Sequence, residues 1–123
     1  MSQSLRITFI LHALVAFVFG LGLLAAPGQF LDIFGWQPVD PLISRILGAA
    51  MLALGWGSIR GYRAASWEEV EILVEVETAF TVLAAVGLLR HLLVGSWPWY
   101  VWMVFAIFTV FALAWVYHLL RKK

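Results

Sequence analysis

An all-α integral membrane protein, built as an up-and-down four-helix bundle with both termini in the cytoplasm, is the fold this sequence predicts. Three observations lead there: the composition, four long apolar runs, and the placing of lysine and arginine. The chain has 123 residues, 63% of them hydrophobic and 12% charged, with a net charge of +1 and no cysteine. Its mean hydropathy is +0.95. Soluble domains carry about 45–50% apolar and about 25% charged residues, and a small globule has the least favourable ratio of surface to volume. So little charge excludes an ordinary soluble domain, a disordered tail and a nucleic-acid binder. Without cysteine there is no disulfide scaffold, thiolate metal site or thiol catalysis.

A helix crosses a hydrocarbon core of about 30 Å with about 20 apolar residues. The first candidate span covers residues 7–26, holds His12, and stops at Pro27-Gly28. It is longer than the roughly 7–15 residues of a signal-peptide core and is expected to be retained. Residues 27–41 form an outer loop in which Phe30, Leu31, Ile33, Phe34 and Trp36 alternate with Asp32, Gly35 and Gln37. This loop is expected to lie in the interface or to pack as a lid. The second span covers residues 42–60, behind Pro38 and Pro41, and carries Arg45. The third covers residues 67–93 with Glu75 and Glu77 inside it, and the fourth residues 97–120. Residues 1–123 are thus read as a single transmembrane domain.

Basic residues beside the spans set orientation. Arg6, Arg60, Arg63, Arg121, Lys122 and Lys123 fall on the side of the termini, against Arg45 and Arg90 on the other. That bias places both termini in the cytoplasm of a multi-pass protein of the cell (inner) membrane. Trp97, Trp99, Tyr100 and Trp102 mark the outer interface, and Tyr62, Trp67, Trp115 and Tyr117 the inner one. Helices in lipid associate where small residues let backbones approach. Ala16 and Gly20 in span one and Gly48, Ala49, Ala53, Gly55, Gly57 and Gly61 in span two make these the expected tight pair.

Ionisable groups within a span cost about 2.5–3.5 kcal/mol on insertion scales and point to function. At about 100° per residue, Glu68, Glu71 and Glu75 share one helix face, while Glu77 points to nearly the opposite one. Both cannot enter one small bundle, so either one snorkels to the interface or one faces a second subunit. His12, Glu71 or Glu75, and His118 are expected at similar depths, where they would form a proton relay or an ion-pair network with Arg60, Arg63 and Glu68. A metal site is not expected, because His-x-x-x-His and Glu-x-x-His spacings are missing. Arg45 is expected either to reach Asp40 or Asp32, or to hold an anionic headgroup or acidic ligand beneath Phe34 and Trp36. His91, beside Arg90, is expected to be solvated. No phosphate loop, His-Glu-x-x-His motif or nucleophile elbow is present, and no catalytic residue is assigned.

From Gly20 to Gly61 the chain resembles small four-helix prokaryotic membrane proteins, DoxX-like proteins among them. The residues that carry this are Gly22-Leu-Leu-Ala-Ala-Pro27, Phe34-Gly35, Arg45-Ile-Leu-Gly48-Ala49 and the glycine-rich finish. The resemblance implies an association with quinone-coupled redox complexes. Three functions stand as expectations. The first is a non-catalytic accessory or lipid- or quinone-binding subunit that associates with itself or another membrane protein. The second is an oligomeric proton- or ion-coupled transporter using Glu75 and His12. The third is a quinone-linked redox protein. Membrane lipid is the expected surrounding partner, and nucleic acid is not expected.

Overall fold

In the computed structural model, which describes residues 1–123, the ordered backbone is helical throughout: α1 (Gln3–Ala25), α2 (Pro27–Asp32), α3 (Pro41–Arg63), α4 (Glu71–Leu92) and α5 (Trp99–Arg121). Four of them, α1, α3, α4 and α5, are long and apolar enough to cross a membrane. At 1.5 Å per residue each spans roughly 33–35 Å. Four such helices in one short chain mark a multi-pass membrane protein.

Local chemistry accounts for where the helices begin and end. Pro27, which has no N–H to give, closes α1 and takes the first position of α2. Gly35 at φ 76° ends α2, with Gly35 N–H bonded to the Asp32 carbonyl and Trp36 N–H to the Leu31 carbonyl, both at 3.0 Å. This is a Schellman turn, and its left-handed residue suits glycine. Asp40 caps α3 by accepting the amides of Leu42 and Ile43 at 3.0 and 3.1 Å, ahead of Pro41 in the first turn. The third long helix starts at Glu71 rather than at Trp67. A tight turn bonds Val70 N–H to the Trp67 carbonyl at 2.9 Å, and Glu69 Oε2 accepts the Ala65 amide at 3.3 Å. Glu68 and Glu69 are therefore connector residues, and α3 runs on to Arg63.

The chain divides into two compact units, residues 9–63 and residues 1–8 with 64–123. In the first, α1 and α3 run antiparallel at very short range. Phe9 lies over Gly61, Ala16 against Gly55, and Gly20 against Gly48 and Leu52. A Cβ on Gly48 would come within 2.6 Å of Leu24 N and 2.8 Å of the Gly20 carbonyl oxygen. Only glycine permits that approach, which is the small-residue packing expected of membrane helices. Gly22 likewise makes room for the Phe30 ring, which meets Phe19 edge-on at 5.4 Å while Phe34 stacks on Phe19 at 6.1 Å. The loop aromatics thus pack back onto α1.

In the second unit α4 and α5 pack against each other, with Phe80 and Phe108 in an edge contact at 5.6 Å and Glu71 near Lys122. Gly95 at φ 93° turns the chain between them. The start of α1 lies beside the end of α5, where Ser2 Oγ donates to the Lys123 carbonyl at 3.2 Å. Both termini therefore sit together.

The outward helix faces are far more apolar than those of a soluble protein. His12, Ser44, Ser58, Glu77, Thr81 and His118 are buried, whereas Leu14, Leu21, Ile46, Leu83, Val110 and Leu113 are exposed. The buried set still includes Leu5, Phe9, Val74 and Trp115, but exposed aliphatic side chains beside buried polar ones suit a hydrocarbon solvent, where buried polar groups must find partners within the protein.

Candidate functional site

The buried polar side chains are the candidate site, and α1 supplies two of its anchors. His12 lies on the α3 side of α1, where its Nδ1 shares a hydrogen bond of 2.8 Å with Ser58 Oγ. Ser58 is fully buried, so its hydroxyl is closed to a substrate, and the pair serves to join two helices. In the sequence Ser58 stands only as a serine with no base near it, and the structure brings the His12 imidazole to its hydroxyl. The signal for it is the stripe Gly55, Ser58, Gly61 at three-residue spacing, facing Ala16, His12 and Phe9.

His118 belongs to the other unit and is also buried. Its Nε2 lies 3.0 Å from Thr8 Oγ1, and Thr8 Oγ1 donates to the Ser4 carbonyl at 3.0 Å. A hydroxyl has one proton to give. With that proton on Ser4, Thr8 accepts from His118 Nε2–H, which sets the tautomer. The bond fastens the start of α1 to the end of α5. Nearby, Arg6 Nη2 donates to the Ala64 carbonyl at 3.0 Å, a tie that sequence reading did not anticipate.

The two glutamates of α4 divide as their helical positions require. Glu77 is fully buried, together with Val74 and Thr81 on its face. Glu75 is exposed, in line with Ile72, Val76, Leu83 and Val86. The sequence places the two on opposite faces and makes Glu75 the candidate coupling group; in the structure Glu77 is the one turned inward. Helical periodicity sets the two apart but does not say which face turns inward. Because α4 begins at Glu71, Glu75 also lies only about 6 Å inside it, shallower than expected. Thr78 and Thr81 turn their hydroxyls to the Val74 and Glu77 carbonyls of their own helix, both at 2.7 Å.

The remaining residues take other partners than those foreseen. Glu71 sits in the first turn of α4, favourable for a carboxylate, and pairs with Lys122 Nζ at 3.6 Å. Both are substantially exposed, so this pair contributes little. Arg60 and Arg63 lie in the last turn of α3, where cations complement the helix dipole. Glu68 is exposed; its own backbone N–H and then the Ser66 hydroxyl hold its carboxyl below the ordinary glutamate range. Arg45 corrects a clear expectation. It reaches neither Asp40 nor Asp32 but donates from Nη1 to the Leu24 carbonyl at 2.9 Å, at a helix end with carbonyls to spare. Asp40 is occupied as the cap of α3. Phe34 is held by Phe19 and Phe30, and both Phe34 and Trp36 are half-buried. No three His, Asp or Glu side chains gather to hold a metal ion.

No family model, no curated protein and no solved structure matches the chain. The functional reading therefore depends on the arrangement of its own side chains.

Proposed function

We propose that this chain is a non-catalytic accessory or lipid- or quinone-binding subunit of the cell membrane, with both termini cytoplasmic, that associates with itself or with another membrane protein. One observation carries the reading: Glu75, a carboxylate on the exposed side of α4, among Ile72, Val76 and Leu83. A carboxylate facing lipid is costly even near a helix end, and a neighbouring chain offering a donor would relieve that cost. The polar residues within each unit are meanwhile engaged in joining helices, as His12 is with Ser58 and His118 with Thr8. Quinone stands beside lipid as a ligand class through the sequence resemblance alone.

Native mass spectrometry after gentle extraction from the host membrane tests this. The expected result is an assembly larger than one chain, weakened by Glu75→Leu. A monomer, or an assembly indifferent to that change, would refute it.

A second reading, proton- or ion-coupled transport, is favoured by Glu77, since a buried carboxylate in a spanning helix is a natural coupling group. It predicts that proteoliposomes dissipate an imposed pH gradient, followed with an entrapped dye, and that Glu77→Gln abolishes the leak. Liposomes that hold the gradient as well as empty ones refute it.

A further inference from the structure

At the end of α4, an open pocket of about 350 Å³ is lined by Gly87, Arg90, His91, Val94 and Trp97. Gly87, Arg90 and His91 recur at the three- and four-residue spacing of a helix face, Val94 and Trp97 follow in the turn beyond the end of α4, and each has its own part. A Cβ on Gly87 would meet nothing within 4 Å, so this glycine serves no helix contact and leaves a notch on the exposed side. Below it, towards the middle of α4, Val86 and Leu83 continue an exposed apolar track. Above it stands Arg90, exposed and with no hydrogen bond or ion pair in the protein. Trp97 forms the roof. Its Nε1 donates to the Val94 carbonyl at 2.9 Å, and its ring centroid lies 4.0 Å from that of the exposed His91, the two planes tilted by 36°.

A basic residue in the last turn of a helix ordinarily serves the free carbonyls there. Here other groups serve two of them, those of Leu89 and His91, and a carbonyl just beyond the helix. Leu93 N–H bonds to the Leu89 carbonyl and Val94 N–H to that of His91, and the Trp97 indole takes the Val94 carbonyl. The guanidinium is left for an anion, at the level where tryptophan marks the membrane interface.

We propose that this pocket binds a phospholipid with an anionic headgroup, its phosphate held by Arg90 and His91 against the Trp97 roof and an acyl chain laid in the Gly87 notch along Val86 and Leu83. A planar, permanently charged guanidinium beside an imidazole suits a phosphodiester. The apolar track below the cation is what selects a lipid over a free phosphate. The inference rests on the membrane reading above and assigns a lipid site to residues outside the Arg45, Phe34 and Trp36 group.

The test is native mass spectrometry of the full chain in neutral detergent, titrated with phosphatidylglycerol or with phosphatidylcholine of the same acyl chains. The wild type is expected to retain phosphatidylglycerol about five-fold better, the worth of one basic side chain at an anionic membrane surface. Arg90→Gln is expected to erase the preference. Gly87→Leu, which fills the notch, is expected to lower retention of both lipids, with helicity checked by circular dichroism. Equal retention of the two lipids by the wild type, or a preference that survives Arg90→Gln, overturns the proposal. So does undiminished retention by Gly87→Leu. Displacement of the lipid by glycerol phosphate at matched concentration would make the pocket an anion site and overturn the lipid assignment. Alkaline carbonate extraction keeps the two readings apart: protein released from the pellet refutes membrane embedding itself, whereas protein retained there without lipid preference refutes only this pocket.

Discussion

Substituting Gly48 with alanine tests the closest packing in the protein. The added Cβ would lie 2.6 Å from Leu24 N, 2.8 Å from the Gly20 carbonyl oxygen and 3.1 Å from the Leu23 carbonyl carbon, against an ordinary contact of 3.4 Å or more. All three are backbone atoms, so no rotamer change can relieve the clash. The helices must part by roughly 0.8 Å at this level. Overpacking of this kind costs about 1–3 kcal/mol, and unyielding backbone favours the upper half of that range. Parting the helices also strains the Arg45 bond to the Leu24 carbonyl and, further along, the His12–Ser58 bond. Against this stands the better helix propensity of alanine, up to about 1 kcal/mol. A net loss of about 1–3 kcal/mol is expected, measured by equilibrium unfolding in mixed micelles of rising SDS fraction and followed by tryptophan fluorescence. Gly87→Ala is the matched control. It adds the same methyl to a spanning helix where nothing lies within 4 Å, so only the propensity gain remains. If the two variants unfold at the same SDS fraction, the close approach of α1 and α3 is wrong.

Ser58→Ala is expected to destabilise by about 0.6–1.7 kcal/mol, from the average to the largest value for hydrogen bonds between membrane helices. A double-mutant cycle with His12→Phe should show coupling of similar size, and strict additivity would mean the 2.8 Å bond does not hold the helices. Ser66→Ala should raise the Glu68 carboxyl towards its ordinary range, because the Ser66 hydroxyl is among the groups that lower it. Carboxyl carbon NMR across a pH titration would show this. The sign follows from linkage: a depressed carboxyl favours the folded state above its unfolded value, and that advantage is lost as pH falls through the folded one. An unmoved Glu68 titration in Ser66→Ala would remove Ser66 from the account. Thr8→Val should loosen the start of α1 by removing the acceptor for His118 Nε2–H, seen as faster amide exchange in residues 3–8 with α3 unaffected.

The four long helices were legible because an apolar run and a Pro or Gly stop are local signals. Pro27 ends α1 in the structure as the sequence implies, and the glycines of α3 do meet α1. The start of α4 was misplaced by about a turn, since Trp67 to Val70 looks helical until its tight turn is seen. The orientation of the two glutamates was not legible for a related reason. With Val70, Val74, Ile72 and Val76 around them, α4 is apolar on both sides, and sequence alone does not tell the core side from the lipid side. Arg45 was given Asp40 as a partner because the two are near in sequence. The competing demand on Asp40 came from the amides of Leu42 and Ile43, and a carboxylate capping a helix is already engaged.

The harder part, which polar residue meets which, depends on register between helices far apart in the chain. His12 and Ser58 are separated by 46 positions, and each looks unremarkable alone. Their meeting follows once Gly48, Gly55 and Gly61 are set against Gly20, Ala16 and Phe9, because an antiparallel pair in that register brings position 12 to position 58. In lipid, apolar burial gives helices no reason to choose one register over another. The glycines allow α1 and α3 to touch, and the His12–Ser58 bond penalises any slip by stranding a polar group among apolar ones. Register between α1 and α3 is therefore set by residues that would weaken a soluble helix, while many long aliphatic side chains, Leu14, Leu21 and Ile46 among them, face outward. Glu75 and Arg90, exposed on α4 and without a hydrogen bond inside the chain, are the groups to which the two proposals above give a partner outside it.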